Sequence, residues 1–253
     1  MDSDSIIKDS VDFFTRLVGS THDSVYPGKA YLASFLSCSL DRAACDLLDK
    51  ALEPQDIFAA LKSLHPNKAP GLDGFNAYFF LKSWSVFGSE ISEAILDFFS
   101  SGKLLREANV SIISLIPKMP NSCHLTDFRP ISCCNTIYKC ISKILLARLR
   151  KVLPSCVNKA QSAFFFSRRI SKNILIAQEM MRGYHLDSGV PRCAFKIDLF
   201  KAFDSVCWDF LWDDLDLVFL RSSPLGLKGA SLPLCTPLIL MVSCIVIFLG
   251  REV

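Results

Sequence analysis

Beyond Asp216 the chain has no acidic residue until Glu252, and from Gly229 to Gly250 it has no charged residue at all. Acids are almost as scarce between Lys103 and Lys172, where Glu107 and Asp127 stand against thirteen Lys and Arg. The first absence leaves the C-terminal stretch without a carboxylate pair for metal chemistry. The second marks either a polyanion-facing surface or a solvated helix face, since clustered cations attract phosphates at long range. Metal-finger spacing is missing too. Eleven cysteines are present, yet no CxxC is followed by a second CxxC or a His pair, and Cys133 and Cys134 are adjacent. Nor does the acidic start Met1–Ser5 lead into an apolar run, so no secretory signal is expected. The chain therefore reads as intracellular, nuclear or cytoplasmic and not secreted, with reduced thiols acting as small apolar side chains.

What is present in quantity is apolar. Hydrophobic residues make up 51% of 253 residues, enough to bury a substantial core. The uncharged run Gly229–Gly250 has the length of a membrane span, but Pro233 and Pro237 break its first third. The remainder is more like a buried segment, and a membrane is not an expected partner.

Periodicity places the elements. Short amphipathic patches (Ile6, Val11, Phe14, Leu17) predict a loosely helical, peripheral region over residues 1–51. Glu53-Pro54 opens a helix with Ile57, Leu61 and Leu64 on one face, ended by His65-Pro66-Asn67. Pro70–Gly74 is a turn cluster, and a single helix is expected over Ala77–Phe99. Val110–Ile116 reads as a strand closed by Pro117. Thr136–Val152 is the clearest helix, with an apolar stripe of Ile137, Cys140, Ile141, Ile144, Leu145 and Leu149. Another helix is expected near Ser171–His185. Arg192–Asp198 alternates as a strand that delivers Asp198 at its end, and a helix follows over Ser205–Leu215.

Asp198 is the sharpest candidate for chemistry. A carboxylate at a strand end before a turn can bind a hard cation such as Mg²⁺, and it can equally form the turn or cap the helix. Its neighbourhood, Lys196–Val206 (KIDLFKAFDSV), adds to the first reading. So does the series that precedes it: Asn67–Phe75 (NKAPGLDGF), Leu115–Lys118 (LIPK), Asp127–Ser132 (DFRPIS), Tyr138–Leu149 (YKCISKILLARL), Gln161–Phe164 (QSAF) and Ile174–Glu179 (ILIAQE).

In that order these segments resemble the non-LTR (LINE-type) retrotransposon reverse transcriptases, plant elements in particular, over about residues 55–215. The resemblance implies an RNA-directed DNA polymerase with RNA template, DNA primer and dNTP as partners and Mg²⁺ as cofactor. It makes Asp198 the first catalytic and metal-binding Asp of the palm, and Phe203 the gate against a ribose 2′-hydroxyl. Lys118 and Arg129 would grip the triphosphate, where positive charge stabilises the transferring phosphoryl group. Lys139, Lys143, Arg148 and Arg168 would face nucleic-acid phosphates. Read without the family, Phe203 is core packing, and the basic side chains are solvated.

Three departures qualify it. Ser167 stands before Arg168 where the family has Gly, and Lys172 stands before Asn173 where many relatives have Asp. The third is larger: two-metal phosphoryl transfer needs carboxylates from separate strands, and no aromatic-x-Asp-Asp hairpin follows Asp198. Asp213-Asp214 comes too soon after it for a helix, a reversal and a paired strand. No family motif is recognised from Val218 onward. The expected fold is therefore α+β, a partial fingers–palm of a right-hand polymerase, mainly helical with a small antiparallel sheet. Residues 1–51 are peripheral, 52–216 form the incomplete reverse transcriptase domain, and 217–253 are a divergent apolar tail. The expected function is a reverse transcriptase fragment inactive for want of the second Asp pair, a pseudoenzyme; the alternative is a non-catalytic nucleic-acid-binding or membrane-tethered remnant.

Overall fold

The computed structural model of the chain describes residues 3–19, 28, 30, 41–156 and 168–184. Its first helix, α1 (Ser3–Gly19), leaves Ile6, Ile7 and Val11 exposed. Helix α2 (Arg42–Asp49) starts at Asp41, whose carboxylate accepts the Ala44 N–H at 2.8 Å and satisfies a donor that the first turn leaves over. Helix α3 (Pro54–Lys62) has the proline in its first turn, where the missing N–H costs nothing, and buries Ile57 and Leu61 completely.

The long helix expected over Ala77–Phe99 is two helices, α4 (Ala77–Lys82) and α5 (Trp84–Ser101). The break is at Ser83. Its hydroxyl donates to the Phe79 carbonyl at 2.8 Å, and its backbone leaves helical geometry at φ −91°, ψ 8°. A short hydroxyl that bonds back to the preceding turn competes with the helix ladder, and periodicity alone does not register it. Helix α5 stops at Gly102, which takes the left-handed conformation (φ 69°) that favours glycine.

Strands β1 (Ser111–Pro117) and β2 (Phe128–Cys134) pair antiparallel, from Ser111 opposite Cys134 to Pro117 opposite Phe128. β1 is legible in the sequence as a strand; β2, with Pro130 inside, is not. The ladder explains the tolerance. The Lys118 N–H donates to the Asp127 carbonyl at 2.8 Å, and counting back from that bonded pair puts Pro130, opposite Leu115, at a non-hydrogen-bonded position with its nitrogen outward.

Helix α6 (Thr136–Cys156) is the central element, and α3 and α5 pack on it. Ile57, Leu61 and Leu64 of the α3 region, Ile91, Ile95 and Phe98 of α5, and Tyr138, Cys140, Ile141, Ile144 and Leu145 of α6 form one core. Four of the six stripe residues expected on α6 are buried; Ile137 and Leu149 are half-buried at its margins. Helix α7 (Ile170–Met180) is shorter than expected and buries none of its residues. The described residues are thus mainly helical with one small antiparallel sheet, as expected of a partial fingers–palm fold. The expected strand 192–198 and helix 205–215 lie outside them.

Candidate nucleotide and nucleic-acid site

Side chains alternate across a strand, so register decides which of them share a face. Arg129 lies opposite Ile116, and Lys118 extends β1 one pair further, opposite Asp127. Lys118 and Arg129 therefore stand on the same face at the connection end of the hairpin, as diagonal neighbours. The sequence puts ten residues between them; the hairpin removes that separation. The Arg129 side chain is exposed and makes no hydrogen bond or ion pair with another described residue. Lys118 donates its ammonium to the Thr126 carbonyl at 2.6 Å, across the connection between the strands.

That connection is itself organised by Asp127. Its carboxylate accepts the His124 N–H at 3.0 Å and the Cys123 N–H at 3.3 Å. The His124 bond is the main cause that holds this carboxyl below its ordinary range, with the charges of His124 and Lys118 adding to it.

The turn cluster 67–75 is docked on the start of α6. Thr136, almost fully buried, donates its hydroxyl to the Phe75 carbonyl at 2.8 Å, and Lys139 donates its ammonium to the Ala69 carbonyl at 2.7 Å. Between them Asn135 uses both ends of its amide, donating to the Glu107 carbonyl at 3.0 Å and accepting the Asp73 N–H at 3.5 Å. Gly71 is buried against it. Burial of Lys139 moves its pKa down, because the charged form loses solvation.

Arg148 serves the scaffold in a similar way. Its guanidinium donates to the carbonyls of Leu48 (3.0 Å) and Lys50 (2.6 Å), which the end of α2 leaves over, and it lies 5.4 Å from the centroid of the Phe99 ring. Desolvation lowers its pKa in turn, opposed by Asp56 and Asp49. Arg168 reaches the Pro154 carbonyl at 3.4 Å, and Lys143 is half-buried on α6. Of the expected site residues, then, Lys118 and Arg129 come together, and Lys139, Arg148 and Arg168 each bond a backbone carbonyl. Asp198 and Phe203 lie outside the described residues. Among those residues no group of three or more His, Cys, Asp and Glu could hold a metal ion, and no helix is long and apolar enough to cross a membrane.

Asn135 and Thr136 went unnoticed in the sequence. Their partners in the turn, Asp73 and Phe75, are 62 and 61 residues away, and only the glycines of 71–74 hint that another backbone approaches there.

Residues 116–226 match the reverse transcriptase (RNA-dependent DNA polymerase) family. The match begins at the end of β1, takes in Lys118 and Arg129, and runs past Val218, beyond the last motif legible in the sequence. Over those residues the chain is similar to reverse transcriptases, of the non-LTR retrotransposon kind by its transposon relative. It is also 27% identical, over 164 residues, to the Transposon TX1 uncharacterized 149 kDa protein of Xenopus laevis. The aligned part is 65% of this chain and 12% of that protein, so the chain spans a small fraction of its relative's length. In this reverse transcriptase segment, Lys118 and Arg129 are the two expected ligand-facing cations that the described residues bring together.

Proposed function

We propose that this chain is the fingers and the beginning of the palm of a retroelement reverse transcriptase, of plant-element type, able to hold a nucleoside triphosphate but not to polymerise. The observation that carries the reading is the placement of Lys118 and Arg129 on one face of the β1–β2 hairpin, inside the family match. Two cations at that spacing suit a triphosphate, Arg as a planar fork and Lys as a point charge. Lys143 and Arg168 are the phosphate contacts for template and primer, while Lys139 and Arg148, expected beside them, brace the scaffold through their carbonyl bonds.

Asp198 would bind Mg²⁺, and Phe203 would exclude the 2′-hydroxyl. Mg²⁺ supplies charge neutralisation on the phosphates and alignment of the attacking hydroxyl. Asp213-Asp214 is close behind Asp198, and after it only Asp216 precedes Glu252, so residues 1–253 offer no second carboxylate pair on a separate strand, and on these residues alone nucleotidyl transfer is not expected. Residues 52–216 form the functional unit, 1–51 its periphery and 217–253 an appended tail; the protein acts inside the cell.

A primer-extension assay on an RNA template with Mg²⁺ and dNTPs, with Asp198→Ala as control, tests the reading. Primer–template and dNTP binding without extension is the expected result. Extension abolished by the substitution would show that a complete site exists.

A further inference from the structure

Asn135 stands at the junction of β2 and α6 and is only 4% exposed. Its two bonds run to different segments. The donor end reaches the Glu107 carbonyl (3.0 Å), in the stretch that leads from α5 into β1; the acceptor end reaches the Asp73 N–H (3.5 Å), in the turn docked on α6. One buried amide thus joins the entry of the hairpin, its exit and the helical body.

Among the described residues the hairpin has little other support. Every residue of β1 is exposed, including Ile113 at 51% and Ile116 at 45%. An antiparallel pair with open faces is marginal by itself, so its direction is set at its two roots. Asn suits the position because it presents a donor and an acceptor in one plane without charge. Asp would keep the acceptor for Asp73 but turn an anionic oxygen toward the Glu107 carbonyl.

We propose that Asn135 is a positioning residue that clamps both roots of the hairpin to the helical body and so fixes the direction in which Lys118 and Arg129 are presented. The functional half of this inference rests on the triphosphate reading above; the clamp itself does not.

The test uses the full chain and two readouts, amide hydrogen–deuterium exchange and binding of dTTP with Mg²⁺. Wild type is compared with Asn135→Asp, with Thr136→Val, and with the Lys118→Ala/Arg129→Ala double variant. Asn135→Asp should speed exchange in 111–117 and 128–134 by about tenfold, the effect of roughly 1.4 kcal/mol of local stability, while amides of 141–145 keep their wild-type rates. The same variant should weaken dTTP binding by about tenfold. Thr136→Val, which removes only the bond to Phe75, should leave hairpin exchange unchanged. Wild-type hairpin exchange in Asn135→Asp overturns the clamp, and so does acceleration spread equally over α6. If wild type binds no dTTP, or the double variant binds it equally well, the triphosphate reading fails, and the exchange data still decide the clamp.

Discussion

Gly71 lies against Asn135 so closely that a Cβ on the glycine would stand 2.0 Å from Asn135 Oδ1 and 2.5 Å from its backbone nitrogen. The turn 67–75 and the start of α6, far apart in sequence, touch through a contact with no room for a side chain.

Gly71→Ala should therefore destabilise the chain strongly. The obstacle is backbone and cannot move aside, so the turn must lift from α6 and give up the bonds of Thr136 and Lys139. A loss of about 1–3 kcal/mol or more, the range for overpacked sites, is expected in urea unfolding. Gly74, with φ 74° and open space around it, should lose less on the same change, about 1 kcal/mol of backbone strain.

Arg148 should act on stability more than on nucleic-acid binding. Arg148→Ala leaves the Leu48 and Lys50 carbonyls without their donor and uncovers Phe99, for a cost of about 1–3 kcal/mol. Arg148→Lys should recover only part, since an ammonium lacks the fork that spans two carbonyls. The salt slope of RNA binding should stay at its wild-type value in both variants. A slope shallower by about one would make Arg148 a phosphate contact after all.

Cys140 gives a prediction in alkali. Its thiol is buried, donates to the Ile57 carbonyl at 3.6 Å, and is pushed up by desolvation to about 12. The folded state thus keeps the proton where the unfolded chain releases it, so stability is intact below the ordinary thiol value of 9.0 and is lost as pH rises toward about 12. Cys140→Ala should remove this dependence, on the order of a few kcal/mol across the window. The comparison is of urea midpoints for the two proteins at pH 8, 9.5 and 11. Equal pH slopes would contradict it.

Asp127 works in the opposite sense. Its carboxyl is held low chiefly by the His124 N–H, so its contribution is present above the ordinary carboxylate range and is lost as pH falls through the lowered folded value. Protection of the Lys118 amide against exchange, bonded as it is to the Asp127 carbonyl, should fall in acid in wild type relative to the intrinsic rate. In Asp127→Asn it should be low already at neutral pH.

Local chemistry made much of the helical part legible without a structure. The stripe of α6 falls at 3.6-residue spacing, and Pro54 and Gly102 punctuate α3 and α5, because these signals act over one or two turns. Short motifs in order carried the resemblance to reverse transcriptases, which the match over residues 116–226 supports. Where local chemistry was subtler, the reading failed: Ser83 broke a helix through its own hydroxyl, and Pro130 concealed a strand whose register left that nitrogen facing outward. Only the tertiary structure could decide that Lys118 and Arg129 share a face, that Arg148 caps α2, and that Asn135 joins Glu107 to Asp73. Each of these depends on pairing register or on partners 28 to 100 residues away, and such partners leave no periodic trace in the residues that meet them.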